Sequence, residues 1–414
     1  MKKNISSWGN TSNKDIRILE DIDDNKSPSL AIGNNNSYGD ASISASNHAI
    51  KLRKGLDDLF SVNQTIEEYL NGNKFGLYGI PGKRNVTLGG AAASDVHGKD
   101  NIWGGSFIKN IEELTLKTAS GLVIKTSREK NKEIFYSTIG GYGLTGVILD
   151  LKIARNNLEP HKFLTEINIG EGIDNLLSNF TFEDKCYWVA WVDLSNKQYR
   201  WYSEKSKPIA KEEISSKKII PEKEFSFTLP FIGSNKFKSM ELMNKAYLYS
   251  KKIRRRRTKS AENIYYPLDK VANTKNFAKN RKIIQIQFSI PIENSDKIKK
   301  LLDLITISNT VILCSVKRLA ENESPHNLSF VQNGWTFALD FAYESFDQRN
   351  IREFYELITE YDGLVYLAKD STLNQDEFKE MYKNYEEWKG IVKNIDPENY
   401  FQSELSKRLG LKQW

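Results

Sequence analysis

The sequence predicts helices combined with antiparallel strand pairs, and it argues against a doubly wound dinucleotide fold. Two observations carry this. Residues 114–119 and 122–127 alternate apolar and polar positions on either side of Ser120-Gly121, the pattern of a hairpin. The succession of strand, GxGxxG and helix within about 30 residues that marks a doubly wound fold is absent.

Taken in chain order, residues 1–30 are polar, rich in Asn, Asp and Ser, and read as weakly structured apart from a short apolar run at 16–19. Ser29 to Ile32 reads as a short strand. It ends in Gly33-Asn34-Asn35-Asn36-Ser37-Tyr38-Gly39-Asp40, residues that tolerate left-handed backbone and favour turns. Thr65 to Leu70 is a helix candidate, and Pro81-Gly82 leads into Thr87-Leu88-Gly89-Gly90-Ala91-Ala92-Ala93-Ser94-Asp95-Val96-His97-Gly98. In that stretch the small residues leave the backbone open to a flat or phosphorylated ligand, while the same composition also serves a tightly packed turn. Ile134 to Tyr136 opens a helical turn, the glycine-dense bend 140–146 follows, and Val147 to Ala154 is a strand. Farther on, Ile284 to Phe288 alternates, so Gln285 and Gln287 share one face.

At 414 residues the chain exceeds one ordinary core, and two domains are expected. With 39% hydrophobic and 27% charged residues its composition is that of a soluble globular protein. The start lacks the apolar core of a signal peptide and no apolar run is long enough for a membrane span, so a cytoplasmic location is expected. Cys186 and Cys314 are too few for a disulfide framework, and His48, His97, His161 and His326 lack metal-ligand spacing, so no metal is expected. The net charge of +7 is concentrated in Lys251, Lys252, Arg254 to Arg257 and Lys259. That block reads as a solvated loop or as a patch for an anionic surface, a membrane leaflet or a phosphate-bearing substrate. No nucleic-acid motif accompanies it.

Three ordered motifs, Ser37 to Asp40, Gly89 to Lys99 and Gly140 to Gly146, resemble the FAD-binding half of the vanillyl-alcohol-oxidase-type flavoproteins. Gln285 to Phe288, Ser315 to Lys317, Gly334 to Phe341, Tyr366 to Ser371 and the tail from Glu387 to Leu409 extend the similarity, which is closest to the decaprenylphosphoryl-β-D-ribose 2′-oxidase group of bacterial polysaccharide loci. The resemblance implies an α+β protein with an FAD-binding part of PCMH type at 1–158, a substrate domain of antiparallel sheet and flanking helices at 159–363, and a tail at 364–414 that returns to the first part. It implies non-covalent FAD, because Asn36 stands where many relatives carry the histidine that bonds to flavin.

By the same resemblance, residues 31–41 (Gly33 to Asp40 among them), Gly82 and Thr87-Leu88-Gly89-Gly90 would hold the pyrophosphate. Ser94, Asp95, Val96, His97 and Gly98 would approach the flavin, Ile148 its adenosine end and Tyr366 the ring. Lys369 is the candidate proton acceptor, with Lys317 and Lys99 as cations that crowd it toward neutrality and Gln287 as a hydrogen-bonding partner. His97 is expected to orient or tune the flavin. Lys99, Gln285, Thr336 and Ala338 would wall the substrate pocket together with Trp191, Tyr265 and Trp335, each of these three aromatics equally readable as core, and Asp340 is expected to be structural. The implied activity is oxidation of a sugar hydroxyl, on a polyprenyl-phosphate-linked pentofuranose, as half of an epimerisation completed by a separate NAD(P)H-dependent short-chain reductase. The lipid phosphate would suit the Lys251 to Lys259 block. An aldonolactone or alditol oxidase, or a degenerate FAD-binding scaffold, are the alternatives.

Overall fold

The structure, a computed structural model, describes residues 2–22, 27–52, 62–73, 75–156, 158, 162–209, 227–228, 237–253, 256–272, 282–321 and 328–414. Three larger sheets and one two-stranded pair organise them, with helices mixed among the strands in the α+β manner.

The first sheet has the order β1 (Lys2–Ser6), β2 (Asn13–Leu19), β3 (His48–Ile50). The expectation of weak structure at the N-terminus is corrected here. β1 and β2 form an antiparallel hairpin whose Ile5 and Ile16 turn into the core, enough apolar burial to order an otherwise polar segment. Residues 29–32 make only isolated bridges, Ser29 to Phe401 and Ala31 to Ile50.

In the second sheet β4 (Ile111–Lys117) lies between β5 (Val123–Ser127) and β6 (Val147–Ile153), all antiparallel, so the hairpin read from the sequence is present. Two short helices pack in the same cluster: Ile66–Gly72, closed by a capping box at Thr65, and Leu88–Ala93, capped by the Thr87 hydroxyl. The small-residue stretch is therefore partly helical. It ends sharply at Asp95, whose φ of 40° turns the chain and whose carboxylate accepts from Ser106 Oγ at 2.9 Å and the Ile108 amide at 3.1 Å.

The third sheet carries the cleft. It uses β7 (Lys162–Glu171), β8 (Tyr187–Asp193) and β9 (Arg200–Ile209), while β10 (Phe227–Thr228) forms a separate parallel pair described below. It continues with β11 (Arg256–Lys259), leaves out β12 (Val271–Ala272), the partner of β10, and resumes with β13 (Ile283–Pro291), β14 (Val311–Leu319), β15 (Gly334–Ala342) and β16 (Leu364–Val365). Its strand order is β11-β7-β9-β8-β14-β15-β13-β16. Period-two alternation sorts its faces. Ile284, Ile286, Phe288, Cys314, Val316, Trp335, Phe337 and Leu339 join the main core with the helices Ile298–Ser308 and Arg349–Glu360. Gln285, Gln287, Ser315, Lys317, Thr336, Ala338 and Asp340 take the opposite face.

The C-terminal segment runs back against the N-terminal residues. Ser29 exchanges backbone hydrogen bonds with Tyr400 and Gln402, and Trp388 donates from its indole to the Ser137 carbonyl at 3.1 Å. Gly39 fixes the closest approach, since a Cβ there would lie 1.7 Å from the Asp370 carbonyl oxygen. The block from Lys251 is no loop where it is described: a helix, Phe237–Ile253, precedes β11, and Arg254 and Arg255 lie outside the described residues.

Candidate active site

Four segments far apart in sequence meet around one elongated cleft. At one end lies the loop from Ala31 to Ser42, followed by Pro81 to Lys83, Val86, Thr87 and Gly90, then Ser94, Val96 and His97, with Tyr366 and Lys369 opposite. At the other end the sheet supplies Gln285, Gln287, Ala338, Ser315, Lys317 and Val189, closed by Lys99 and Tyr265.

The first end is built for an anion. Among the described hydrogen bonds, the backbone amides of residues 33–37 donate to no group of the protein, and Asn35 adopts a left-handed φ of 52° that bends them round. The loop is anchored from outside: Asn34 and Asn36 donate from their side-chain amides to the Asn85 carbonyl at 3.0 and 3.1 Å. By contrast, the amides of Leu88, Gly89 and Gly90 are spent on Gln64, Val62 and the Thr87 hydroxyl, so the expected backbone cradle at 87–90 is not open there. The helix cap takes only the Gly90 amide, and the carbonyls of Val62 and Gln64, just before the helix Ile66–Gly72, take the other two.

Around the middle of the cleft the polar groups are neutral or nearly so. Gln287 Nε2 donates to Thr336 Oγ1 at 3.1 Å and lies 2.9 Å from His97 Nε2. Burial, then Lys317 and Lys369, hold His97 well below the usual histidine range, so the ring is neutral, and with Nε2 accepting from Gln287 its proton sits on Nδ1. His97 also packs edge-on against Phe330 and Tyr366, whose rings stack with centroids 4.5 Å apart. Tyr366 is tied down by a hydrogen bond to the Ser94 carbonyl at 2.9 Å.

Lys369 is buried over the ring of Tyr38, with Nζ 4.1 Å from its centroid. The Tyr38 amide donates to the Ala368 carbonyl at 3.1 Å, which couples the N-terminal loop to the lysine turn. Burial lowers the Lys369 ammonium to about 7, with Lys317 and Lys83 adding to the shift and Asp340 opposing it. Burial likewise brings Lys317 to about 8 and Lys99 to about 7. Three amines on one cleft thus exchange protons near neutral pH. Asp340 is bonded by the Gln285 amide, and burial pushes its carboxyl up.

Not every expected residue reaches the cleft. Ile148 is buried in the core of the second sheet, and both oxygens of Asp40 are engaged by Arg408 at 2.8 Å. Asp95, Gly89 and Leu88 shape the helix and the turn after it, and Gly39 and Gly98 serve close backbone packing. Trp191, paired with Ser315 on the cleft face, is taken up by packing against Tyr202 and Tyr247, Trp335 lies on the opposite face in the main core, and Thr336 acts through Gln287. Sequence reasoning missed Lys83, Tyr142, Ser42, Val189 and Ser315, which also line the cleft. Tyr142 carried a signal, since it sits between glycines with a positive φ of 54°.

The protein atoms left unpaired test whether a polar cofactor fits. Among the described residues, Asn35 Oδ1, Ser42 Oγ, His97 Nδ1 and Gln285 Oε1 are buried without a hydrogen-bond partner, and all four residues line this one cleft. Buried polar atoms are rarely left so. A polar ligand that offers both hydrogen-bond donors and acceptors, as FAD does, would satisfy them.

The family model for D-arabinono-1,4-lactone oxidase matches residues 197–409. The chain belongs to this family. It is also 28% identical over 350 residues to decaprenylphosphoryl-beta-D-ribose oxidase of Mycolicibacterium smegmatis, covering 80% of this chain and 75% of that protein. An uncharacterized protein in the mprA 5′ region of Streptomyces coelicolor is 22% identical over 349 residues, 80% of this chain and 95% of its own. Cytokinin dehydrogenase 2 of Arabidopsis thaliana matches at 32% identity over only 69 residues, 17% of this chain and 14% of that protein. The protein is an FAD-dependent oxidase.

Proposed function

We propose that this oxidase removes hydrogen from a secondary hydroxyl of a pentofuranose carried on a polyprenyl phosphate, the first half of an epimerisation in the synthesis of a cell-surface polysaccharide. A separate NAD(P)H-dependent reductase would finish it. The observation that carries the reading is the set of buried amines on one cleft, with Lys369 brought to about 7. An amine at that value is neutral often enough at physiological pH to take a proton.

In this reading residues 1–158 with the tail from 364 form the PCMH-type FAD-binding part, and residues 159–363 the substrate part. The open amides of residues 33–37 would hold the pyrophosphate, with Thr87 beside them, and Tyr366, Ser94 and His97 would lie along the flavin. FAD held by these residues would supply the two-electron acceptor for the hydrogen on the carbinol carbon. Lys369 Nζ takes the hydroxyl proton, and Lys317 keeps it deprotonated by repulsion. Gln287, held between Thr336 and His97, orients the hydroxyl, and neutral His97 presents its Nδ1–H as a fixed donor. Ala338 and Ser315, small side chains on the floor of the cleft, would leave room for a sugar ring.

Anaerobic mixing of the purified yellow protein with a polyprenyl-phosphoryl pentose tests this. Loss of the flavin absorbance is expected, and Lys369→Ala should retain the flavin spectrum without that loss. Reduction by aldonolactones alone would assign the soluble-sugar reading that the family's name favours. Folded protein unable to take up FAD would leave only a scaffold.

A further inference from the structure

The turn between β1 and β2 reaches the lysine end of the cleft. Trp8 donates its amide to the Ser37 carbonyl at 2.8 Å, Gly9 donates to the Tyr38 carbonyl at 3.2 Å, and the Gly9 carbonyl accepts from the Ile283 amide at 2.8 Å. Two residues of the turn are thus held between the loop that carries Tyr38 and the start of β13, the strand that carries Gln285 and Gln287. Only glycine fits the second position, since a Cβ on Gly9 would lie 2.3 Å from the Ile283 carbonyl oxygen and 2.8 Å from that of Tyr38.

These backbone bonds place the Trp8 indole in a chain of four groups. Lys83 Nζ lies 3.8 Å from the Trp8 ring centroid, the Trp8 and Tyr38 ring centroids are 4.2 Å apart, and Lys369 Nζ lies 4.1 Å from the Tyr38 centroid. Tyr38, Lys83 and Lys369 line the cleft, and Trp8 backs them. The hairpin reaches the main core through Ile5, Ile16 and Ile18, so the half-buried indole serves Tyr38 and not that core. It packs on the ring that carries the lysine and seats a second cation, Lys83, near it.

We propose that Trp8 is a positioning residue for the base: acting through Tyr38, it holds Lys369 in place and keeps water from that side of the amine. This rests on the reading of Lys369 as the proton acceptor. Lys369 faces Tyr38 of the loop, Lys83 after Pro81, Asp340 of β15, Lys317 of β14 and neutral His97. Asp340 favours the ammonium, while burial, Lys317 and Lys83 oppose it. Loss of the indole admits water beside Tyr38 and unseats Lys83, and both changes favour the ammonium. A loosened Tyr38 ring withdraws its own attraction for the charge, a smaller effect than the burial that is lifted.

The test is titration of Lys369 in the FAD-loaded protein, read without turnover. Brief acetylation with acetic anhydride from about pH 6 to about pH 10, followed by mass spectrometry of the peptide that carries Lys369, reports the neutral fraction of the amine. The wild-type midpoint is expected near 7. Trp8→Ala should raise it by about one pH unit, and Trp8→Leu, which keeps apolar volume in the hairpin, should move it the same way. Trp8→Phe retains an aromatic face and should stay within about 0.3 pH unit of the wild type. In a Tyr38→Leu background Trp8→Ala should add nothing, because the link runs through Tyr38. Anaerobic flavin reduction by a polyprenyl-phosphoryl pentose should follow, about tenfold slower than the wild type at pH 7 in Trp8→Ala and within about threefold of it above about pH 9. A merely structural residue would lower the melting temperature and the rate at every pH with the midpoint in place. An unmoved midpoint in both Trp8→Ala and Trp8→Leu, or a Trp8 effect that persists in full without Tyr38, overturns the proposal. A midpoint that moves as described while Lys369→Met still reduces its flavin at the wild-type rate leaves Trp8 setting this lysine and removes Lys369 as the base.

Discussion

Two groups of buried lysines share one face of the eight-stranded sheet and behave oppositely. Lys369, Lys317 and Lys99 line the cleft, none of them paired with a carboxylate among the described salt bridges, and burial draws all three down toward neutral pH. A few strands away Lys251 is nearly as buried, yet the Glu204 carboxylate pushes it up and is itself held well below the usual range by the three cations around it. Depth is not the difference. Contact with Glu204 offsets the cost of burial for Lys251, although Lys259 beside the same carboxylate is still drawn down by burial, and without a carboxylate contact burial brings Lys369, Lys317 and Lys99 toward neutral pH.

The sharpest way to break this comparison is to remove the base. Lys369→Met should slow flavin reduction about 10³-fold, the usual worth of a positioned base, while the spectrum of the bound flavin stays as in the wild type. Next, Gln287→Leu frees His97 Nε2 and Thr336, and reduction should slow about 30-fold with little change in the flavin spectrum, read by anaerobic stopped flow. A third change sharpens the role of the loop: Gly39→Ala would place a Cβ 1.7 Å from the Asp370 carbonyl oxygen, pushing the Tyr38 loop off the Lys369 turn. FAD affinity should fall about tenfold, measured by flavin release on dilution. The smallest effect concerns stability. A lysine with a lowered folded-state value binds fewer protons folded than unfolded, so stability rises with pH between about 7 and the ordinary lysine range. Lys369→Met should therefore raise the melting temperature at pH 7 by about 2 °C, and less at pH 10.

Local chemistry made part of this legible before any coordinates. The hairpin at 114–127 and the shared face of Gln285 and Gln287 follow from alternation, a property of a few neighbouring residues. The N-terminal hairpin escaped because its order comes from Ile5 and Ile16 reaching a core supplied by distant segments. Leu88–Ala93 reads equally as open backbone or as a packed turn, because glycine and alanine say little by themselves; the Thr87 cap and burial in the cluster of Ile66 and Tyr69 decide for helix. Glu204 carried no signal at all. Its meaning depends on β11 pairing with β7 and on Lys251 folding over from a helix, contacts that span about fifty residues. The same contacts redirect the charge block read as solvated, three of whose members turn inward.

The most direct measurement is the pH dependence of the anaerobic flavin reduction rate at saturating substrate, in the wild type and in Lys369→Met. The rate should rise through a limb near pH 7 as Lys369 loses its proton, and the variant should be slow and flat across that limb. An unchanged limb in the variant, or a rate that falls as pH rises through 7, would contradict the assignment of Lys369 as the base.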